Sequence, residues 1–250
     1  MTILITGAAA GIGKAIATQY IEDGHQVIGI DYNQARADQT RAELGDNLRF
    51  IIADLSKHQV LESVIQQINT PLDVVIHNAG ISEVGYFQAT NPDNQRRVID
   101  INLIAPMILT RHLLAHKLLT ERASVVFVSS LSHYVSYPGA SVYGATKTGL
   151  ASYARTLSVA YPHLHVLTVY PGPTRTEHAR QYSPDNSRED TRMSPDVLAE
   201  KIVGAIESRD RILIPSPANW VFAILGRIAP ALTNFAMRKT VLEKFPKPTS

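Results

Sequence analysis

The feature that most constrains this chain is a regular alternation of short apolar runs with longer amphipathic segments. The runs are rich in Val and Ile and nearly free of polar residues, as expected for strands that are covered on both faces. Alternation of this kind predicts a doubly wound α/β fold, a parallel sheet of about seven strands with helices on both faces. We predict strands at Thr2–Ile5, Gln26–Ile30, Leu48–Ala53, Leu72–Ile76, Ser124–Val128, Val166–Tyr170 and Arg211–Ile214, and helices near Ile12–Glu22, Gln34–Leu44, Gln59–Ile68, Pro92–Leu119, Val142–Ala160 and Pro195–Glu207.

Composition narrows the class of protein. The 24 basic and 22 acidic residues leave a net charge of only +2, which gives no broad positive surface for nucleic acid. Because the chain has no cysteine, disulfides, thiolate metal sites and cysteine nucleophiles are excluded. The N-terminus lacks the basic region and long apolar run of a signal peptide. We therefore expect a cytoplasmic protein that acts on a small molecule.

The chain shows no Ser/Gly-rich linker and no internal repeat, so we predict a single catalytic domain over residues 1–215. One polar, highly charged stretch, Arg175–Ser194, lies between a predicted strand and a predicted helix. Long loops of this kind are often lids or binding loops, so we interpret residues 175–194 as a lid insertion.

Residues 216–250 are predicted to be an apolar C-terminal extension of the same domain. The segment Trp220–Met237 is more apolar than an exposed terminal helix should be. Arg227 and Pro230 interrupt it, so we do not expect a membrane-spanning helix. It could cover the substrate pocket, pack on a second subunit or lie on a membrane surface, and we favour the first two interpretations.

A glycine-rich turn follows the first predicted strand and opens a helix, with the sequence Thr6-Gly7-Ala8-Ala9-Ala10-Gly11-Ile12-Gly13. Such glycines let the backbone approach a pyrophosphate, which the helix N-terminus then binds. This predicts a Rossmann-like dinucleotide site. Asp31, 18 residues after Gly13, ends the second strand, where a carboxylate can bind the ribose hydroxyls and repel a 2′-phosphate. Ala10 supplies no basic group, so both residues favour NAD(H) over NADP(H).

A tyrosine and a lysine, Tyr143 and Lys147, stand four residues apart at the start of a predicted helix and so share one face. A nearby ammonium group favours the phenolate and should lower the pKa of the tyrosine from about 10 towards a range useful for proton transfer. Ser130 follows a buried strand, at the edge of the sheet where ligands bind. The three side chains are candidates for one catalytic group.

Taken together, these motifs resemble the short-chain dehydrogenase/reductase family in its compact form of about 250 residues. The resemblance covers roughly residues 2–215. Besides the glycine-rich turn, it rests on Asp54-Leu55, Asn78-Ala79-Gly80, Asn102, Ser130, Tyr143-x-x-x-Lys147 and Pro171-Gly172 with Thr176.

The resemblance implies an NAD-dependent oxidoreductase that moves a hydride between nicotinamide and a secondary alcohol or ketone. Tyr143 would exchange the substrate proton, Ser130 would orient the substrate oxygen, and Lys147 would bind the ribose and lower the pKa of Tyr143. Asn102 would hold a relay water within a slight helix irregularity. Cofactor contacts are implied for Gly7, Gly11, Ile12, Gly13, Asp31, Asp54, Leu55, Asn78, Ala79, Gly80, Tyr143, Lys147, Pro171, Gly172, Thr174 and Thr176.

The sequence departs from the family at His77, where members commonly have Asn, and we interpret this histidine as structural. The remaining histidines are scattered without a spacing that assembles a metal site, so no metal is expected. The predicted pocket walls are aromatic and mainly apolar, so we expect a largely apolar substrate, although one arginine of the lid insertion could contact a substrate anion. These walls are His133, Tyr134, Tyr137, Ser82–Phe87 and the lid insertion.

Two other functions stay open at this point. One is a dinucleotide-binding sensor or scaffold with little catalysis, and the other is a lipid or sterol reductase at a membrane surface. The helices Pro92–Leu119 and Val142–Ala160 also resemble the subunit interface of the family. We therefore expect a homodimer or a homotetramer.

Overall fold

The computed structural model describes residues 1–246. A single parallel sheet forms the centre of the fold. Its strands lie in the order β3-β2-β1-β4-β5-β6-β7, which confirms the predicted doubly wound fold. The strand bounds are β1 Thr2–Thr6, β2 Gln26–Asp31, β3 Leu48–Ile52, β4 Leu72–His77, β5 Leu119–Val128, β6 His165–Val169 and β7 Ile212–Leu213.

Helices cover both faces of the sheet. One face carries α1, α2 and α8, and the other carries α3, α4 with α5, and α6. The helix bounds are α1 Gly11–Glu22, α2 Gln34–Leu44, α3 Leu61–Gln66, α4 Pro92–Ile99, α5 Ala105–Ala115, α6 Ser141–Ala160, α7 Glu177–Tyr182, α8 Pro195–Glu207, α9 Pro217–Ile228 and α10 Pro230–Thr240. A π-helical segment, Asp100–Ile104, joins α4 to α5.

The two-residue period of a strand distributes its apolar side chains between the two layers. In β1, Ile3 and Ile5 pack with α1 and α8, whereas Leu4 between them packs with α3, α5 and α6. All three side chains are fully buried. Strands that are apolar at every position therefore require helices on both sides, which is why the sequence of this chain specifies three layers.

Local signals set the ends of several helices. The side chain of Asn33 accepts a hydrogen bond from the Arg36 amide and so caps the N-terminus of α2. Ser194 caps α8 in the same way, with Pro195 in its first turn. These caps explain why both helices begin at the predicted residues.

Several elements differ from the sequence-based expectation, among them the predicted helix Pro92–Leu119, which ends at Ala115, and the last strand, which spans only Ile212–Leu213. Strand β5 begins at Leu119 rather than at Ser124, because Leu119 pairs with Leu72 of β4. The predicted helix near Gln59–Ile68 is shorter, spanning Leu61–Gln66 after one 3₁₀ turn. The segment 175–194 contains a short helix, α7, and a 3₁₀ turn at Glu189–Thr191 rather than being loop throughout.

The C-terminal extension folds into two helices, α9 and α10, that meet at a bend of 120°. Ala223 of α9 is buried in a small core against Leu131, Val135 and Tyr170. The extension therefore packs on the loop that follows β5. Its other face is exposed in this chain, with Trp220, Val221, Ile224, Ile228, Leu232 and Phe235 all about half or more accessible.

By length and composition, one continuous helix within residues 1–246, Pro92–Ala115, could cross a membrane. Its most apolar stretch is 44% buried inside the protein. Ala105 and Leu109 pack against the sheet as part of the main core. This helix therefore has the burial of a core helix.

Candidate active site

The candidate site lies at the carboxyl ends of β1 and β4, two neighbouring strands whose connections run to opposite sides of the sheet. This is the position where open α/β sheets bind ligands. The glycine-rich turn leaves β1 here, with Gly7 at a φ of +69°, which side chains rarely adopt. At Gly13 a β-carbon would collide with the Gly7 carbonyl oxygen. The turn is therefore closed by backbone contacts that only glycine permits.

The N-terminus of α1 fits a dinucleotide phosphate. Ala10 occupies the cap position and makes no side-chain hydrogen bond to the helix. The first amide groups of α1 are thus not capped by a side chain, and the positive end of the helix dipole lies beside them. Gly11, Ile12 and Gly13, the predicted phosphate contacts, form this first turn.

Asn78 anchors the glycine-rich turn from the end of β4. Its side-chain amide donates to the carbonyl oxygens of Thr6 at 3.0 Å and Gly7 at 3.3 Å. The Thr6 hydroxyl in return accepts hydrogen bonds from the amides of Asn78 and Ala79, both at 3.0 Å. Gly80 then passes close to Lys147, where a β-carbon would lie 3.3 Å from the amino group. The predicted Asn78-Ala79-Gly80 segment thus connects the glycine-rich turn to the candidate catalytic side chains.

Two predicted adenosine contacts follow neighbouring strands. Asp31 ends β2, and its carboxylate accepts hydrogen bonds from the amides of Ala9 and Asn33, both at 3.1 Å. Asp54 follows β3 and accepts from the amide and hydroxyl of Ser56. Leu55 is buried in the main core beside it. Both carboxylates are thus held in place by local hydrogen bonds.

Ser130, Tyr143 and Lys147 come together as predicted from the sequence. Ser130 lies just beyond β5, and its hydroxyl is close enough to the phenol of Tyr143 to lower the pKa of that phenol. Tyr143 and Lys147 lie one turn apart in α6. The Lys147 amino group stands 5.7 Å from the centre of the Tyr143 ring and donates to the Val128 carbonyl oxygen at 2.8 Å.

The expected effect of Lys147 on Tyr143 is wrong for this structure. Burial raises the pKa of Tyr143 to about 12, and the Ser130 hydroxyl only partly opposes that rise. Burial also lowers the pKa of Lys147 to about 8. Burial is the largest cause of the shift for both residues, and the charge of Lys147 is not among the causes that set the pKa of Tyr143. Desolvation of both groups therefore outweighs their attraction.

Asn102 lies in the π-helical segment, which is the predicted helix irregularity. The side chain is fully buried, accepts from the amide of Ile81 and donates to the Ile81 carbonyl oxygen, both at 2.9 Å. It also donates to Thr146 of α6 at 3.3 Å. Asn102 thus joins three elements beside Lys147, and its role with a relay water stays a prediction.

The chain beyond β6 closes over the glycine-rich turn. Thr176 caps α7, and its methyl group lies 3.4 Å from where a Gly11 β-carbon would stand. Glu177 next to it accepts a hydrogen bond at 2.8 Å from Arg36 of α2. Pro171 and Thr174 are buried, and Gly172 faces Asn219 of α9. The segment that was predicted to contact the nicotinamide therefore lies beside the glycine-rich turn.

His178 is a site residue that the sequence analysis missed. Its ring lies 6.5 Å from that of Tyr143 and 4.8 Å from that of Tyr182. Burial, together with the charge of Lys147, lowers its pKa to about 4, so it is neutral at physiological pH. Its Nε2 is buried and has no hydrogen-bond partner among residues 1–246. The only sequence signal was its place two residues after Thr176.

His77, the departure from the family pattern, is a core residue. Its Nε2 lies 2.9 Å from the Thr110 hydroxyl, and its ring stacks on Phe127 at 5.0 Å. Burial lowers its pKa to about 3. This geometry agrees with a structural role.

Only some of the residues predicted to line the substrate pocket lie near Tyr143. Tyr134 and His133 pack with Tyr170 in an aromatic cluster, 4.7 to 5.2 Å between ring centres, under the C-terminal extension. They thus support α9. Tyr137 lies near Tyr143 and slightly raises its pKa. The charge of Arg192 in turn lowers the pKa of Tyr137, although burial raises it overall.

The sequence profile described as short chain dehydrogenase matches residues 1–187, so the chain belongs to the short-chain dehydrogenase/reductase family. Serine 3-dehydrogenase of Agrobacterium fabrum is 29% identical over 187 residues, 70% of this chain and 73% of its own. The NADP-dependent 3-hydroxy acid dehydrogenase YdfG of Escherichia coli K12 is 28% identical over 162 residues, 63% of this chain and 65% of its own. A short chain dehydrogenase from Escherichia coli CFT073, complexed with NADPH, matches 86% of this chain and 96% of its own with a TM-score of 0.77 and 27% identity. The chain is therefore an oxidoreductase of this family that acts on an alcohol or carbonyl group.

The expected preference for NAD(H) is contradicted by these comparisons. One relative is named as NADP-dependent, and the similar structure holds NADPH. The inference failed at Asp31, whose carboxylate accepts hydrogen bonds from the amides of Ala9 and Asn33, because an acid that holds the local backbone can stand at this strand end whichever cofactor binds. Ala10 was also a poor guide, since a cation can come from another element, and Arg36 stands in the first turn of α2.

Proposed function

We propose that this protein is an NADP(H)-dependent oxidoreductase that interconverts a ketone and a secondary alcohol, with Tyr143 exchanging the substrate proton. The observation that carries the proposal is the meeting of Ser130, Tyr143 and Lys147 at the sheet edge where the glycine-rich turn also lies. A phosphate cradle beside a proton donor is the arrangement that hydride transfer to a carbonyl requires.

Bound nicotinamide supplies or accepts the hydride. Ser130 would hydrogen-bond the substrate oxygen and hold it beside the phenol. With a pKa of about 12, Tyr143 is protonated at neutral pH and can donate its proton to the oxygen that becomes an alkoxide as a ketone is reduced. Lys147, with a pKa of about 8, is mostly charged at pH 7 and would stabilise the phenolate left behind.

Replacing Tyr143 with Phe tests the proton transfer. Turnover of ketones with NADPH should fall by roughly 10²- to 10⁴-fold, because the ring stays and only the acid/base group is lost. NADPH binding, followed by fluorescence, should stay near the wild-type level. Tyr161→Phe, at the far end of α6, is the matched control and should leave turnover unchanged. Wild-type rates in Tyr143→Phe would exclude the proposed role, and NADPH binding without turnover in the wild type would favour a sensor or scaffold.

The preference for NADP(H) is supported by the NADP-dependent relative, by the similar structure that holds NADPH, and by Arg36. The Arg36 guanidinium forms a solvent-exposed ion pair with Glu177, 44% and 60% accessible. Exposed pairs of this kind contribute about 1 kcal/mol or less, so a phosphate could displace the carboxylate. A guanidinium binds phosphate oxygens in a two-pronged, charge-assisted arrangement. We infer that Arg36 turns from Glu177 to the 2′-phosphate when the cofactor binds.

Steady-state kinetics with both cofactors test this inference. The wild-type kcat/KM should be higher with NADPH than with NADH, and Arg36→Ala should lower that ratio by about tenfold, the effect of roughly 1.4 kcal/mol. Arg41→Ala, in the same helix and paired with Asp46 instead, should leave the ratio unchanged. An NADH preference in the wild type would contradict the proposed cofactor, and an unchanged ratio in Arg36→Ala would contradict the role of this arginine.

One half-buried arginine, Arg192, indicates the class of substrate. The Nη1 atom of Arg192 is buried without a hydrogen-bond partner in the described chain, and its charge lowers the pKa of the nearby Tyr137. An anionic group on the substrate would satisfy it, which favours a hydroxy or keto acid over a wholly apolar ketone. The two relatives named for 3-hydroxy acids and serine point the same way. Ketones matched in size, with and without a carboxylate, would decide between the classes by their kcat/KM.

A further inference from the structure

A second cluster of titratable side chains lies where α3 packs on α5, outside the candidate active site. Glu62 stands in the first turn of α3, His112 in the last turn of α5, and His116 directly after it. The Nδ1 atom of His112 lies 3.0 Å from Oε2 of Glu62, and Nε2 of His116 lies 3.5 Å from Oε1. One donor atom from each residue lies within 4.8 Å of the others. Three potential ligands thus converge from two elements.

The geometry of the cluster suits a tetrahedral metal ion. Zn²⁺ binds imidazole nitrogen and carboxylate oxygen at about 2.0–2.2 Å, which places neighbouring ligand atoms roughly 3.3 Å apart. Each histidine nitrogen lies close to that distance from one of the two Glu62 carboxylate oxygens, His112 at 3.0 Å from Oε2 and His116 at 3.5 Å from Oε1. His112 and His116 are four residues apart, so they project from one face of the helix. Two histidines with one glutamate form an established zinc ligand set, which leaves one position open.

The cluster is accessible and separate from the catalytic side chains. The side chains of His112, His116 and Glu62 are 17%, 46% and 47% exposed, so an ion can enter from solvent. Ten residues of helix separate His112 from Asn102, which is roughly 15 Å at the rise of an α-helix. The end of α5 leads to the start of β5, at the opposite edge of the sheet from Tyr143. Metal here would not touch the substrate.

We propose that Glu62, His112 and His116 bind one transition-metal ion, Zn²⁺ before other divalent ions, and that the ion clamps α3 to α5. Neither helix alone supplies all three ligands, so a bound ion adds a link between two elements that now meet mainly through apolar side chains. The proposal replaces the sequence-based expectation of no metal site. The pair of histidines at a spacing of four was visible in the sequence, whereas Glu62, fifty residues upstream of His112, was not.

The experiment uses the full chain without an affinity tag, freed of metal by chelation and titrated with Zn²⁺ by calorimetry, with Mg²⁺ in parallel. We expect one Zn²⁺ per chain, no comparable Mg²⁺ binding, and a higher melting temperature with Zn²⁺. Co²⁺ at the same site should give the intense visible bands of tetrahedral coordination. Glu62→Gln, His112→Asn and His116→Asn should each weaken Zn²⁺ binding by at least tenfold, since even the loss of an outer hydrogen-bond partner costs that much.

His163→Asn, an exposed histidine outside the cluster, is the control and should bind Zn²⁺ like the wild type. Circular dichroism of each variant establishes that it is folded before titration. Two results would overturn the proposal. One is Zn²⁺ binding that is absent or no stronger than that of Mg²⁺. The other is Zn²⁺ binding that survives in folded ligand variants, because the cluster would then hold only His–Glu ion pairs.

Discussion

At the scale of single residues, the neutral imidazole of His178 is the least expected part of the site. Its buried, unpartnered Nε2 lies beside Tyr143, where a bound substrate could supply the missing hydrogen bond. We predict that His178→Phe, which keeps a ring of similar size, raises the substrate KM by roughly three- to tenfold, the value of one ordinary hydrogen bond. The kcat should change little, because the proton donor stays in place.

The measurement is a full kinetic analysis of His178→Phe with a reactive ketone, beside His163→Phe as the exposed control. A large fall in kcat with an unchanged KM would contradict the predicted role and place His178 in the chemical step instead. The dissociation constant of NADPH, measured separately, shows whether the cofactor site is intact.

The sequence located the members of the catalytic group but could not establish their ionisation. Spacing alone put Tyr143 and Lys147 on one face of α6, and Ser130 at the end of a buried strand. The pKa values of Tyr143 and Lys147 depend mainly on burial, which tertiary packing determines and residue spacing does not. Asp31 shows the same limit, because a carboxylate at a strand end also serves to hold the local backbone and does not alone determine the cofactor. His178 was missed because no periodicity or motif marks it.

At the scale of secondary-structure elements, β4 and α5 are joined by His77 and Thr110. The folded state keeps His77 neutral, with a pKa of about 3, against about 6.5 in the unfolded chain. Between pH 6.5 and 3 the unfolded chain binds more protons, so stability should fall as the pH falls. We predict that His77→Asn removes this dependence, at most about 1.4 kcal/mol per pH unit.

Urea unfolding of the wild type and His77→Asn at several values between pH 7 and pH 4 measures the two slopes. His163→Asn, changed at the surface, should keep the wild-type slope. Because the substitution also alters packing, the slopes are compared rather than the absolute stabilities. Parallel curves for the wild type and His77→Asn would show that protonation of His77 does not limit stability in acid.

Elements with strong periodicity were predictable, and those set by tertiary contacts were not. The bounds of α2 and α8 agree with the prediction because caps and amphipathic pattern coincide there. The early start of β5 depends on pairing with β4, and the polar residues of α7 gave no apolar stripe to recognise. The apolar extension was recognised as unusual and its interruption at Pro230 was predicted, whereas the 120° angle between α9 and α10 was not.

At the scale of the whole molecule, the C-terminal extension is held by a close backbone contact. A β-carbon at Gly226 of α9 would collide with the Tyr134 carbonyl oxygen and with the side chain of Val135. We predict that Gly226→Val displaces α9 and destabilises the protein by about 1–3 kcal/mol, the usual cost of overpacking. Thermal unfolding gives the stability change, and tryptic cleavage at Arg227 reports the release of the helix.

The matched control is Gly204→Ala in α8, where no atom lies near a new β-carbon. That change should stabilise the protein slightly, because alanine is the better helix former. Equal effects of both substitutions would mean that α9 is not held through this contact. Whether the exposed face of the extension meets a second subunit stays a prediction, which sedimentation of the two variants would address.

The π-helical segment Asp100–Ile104 amounts to one residue more than a regular helix would use between α4 and α5. Each residue of an α-helix turns the chain by about 100°. An extra residue between α4 and α5 therefore rotates the side chains of α4 relative to those of α5. The segment therefore lets Val98 of α4 and Leu109 of α5 both face the core while Asn102 projects from the widened turn. A homologous chain without this residue could not keep both contacts. Either α4 would rotate out of its packing, or Asn102 would lose its present position. We therefore expect deletion of one residue within Asp100–Ile104 to disturb the packing of α4 or the position of Asn102.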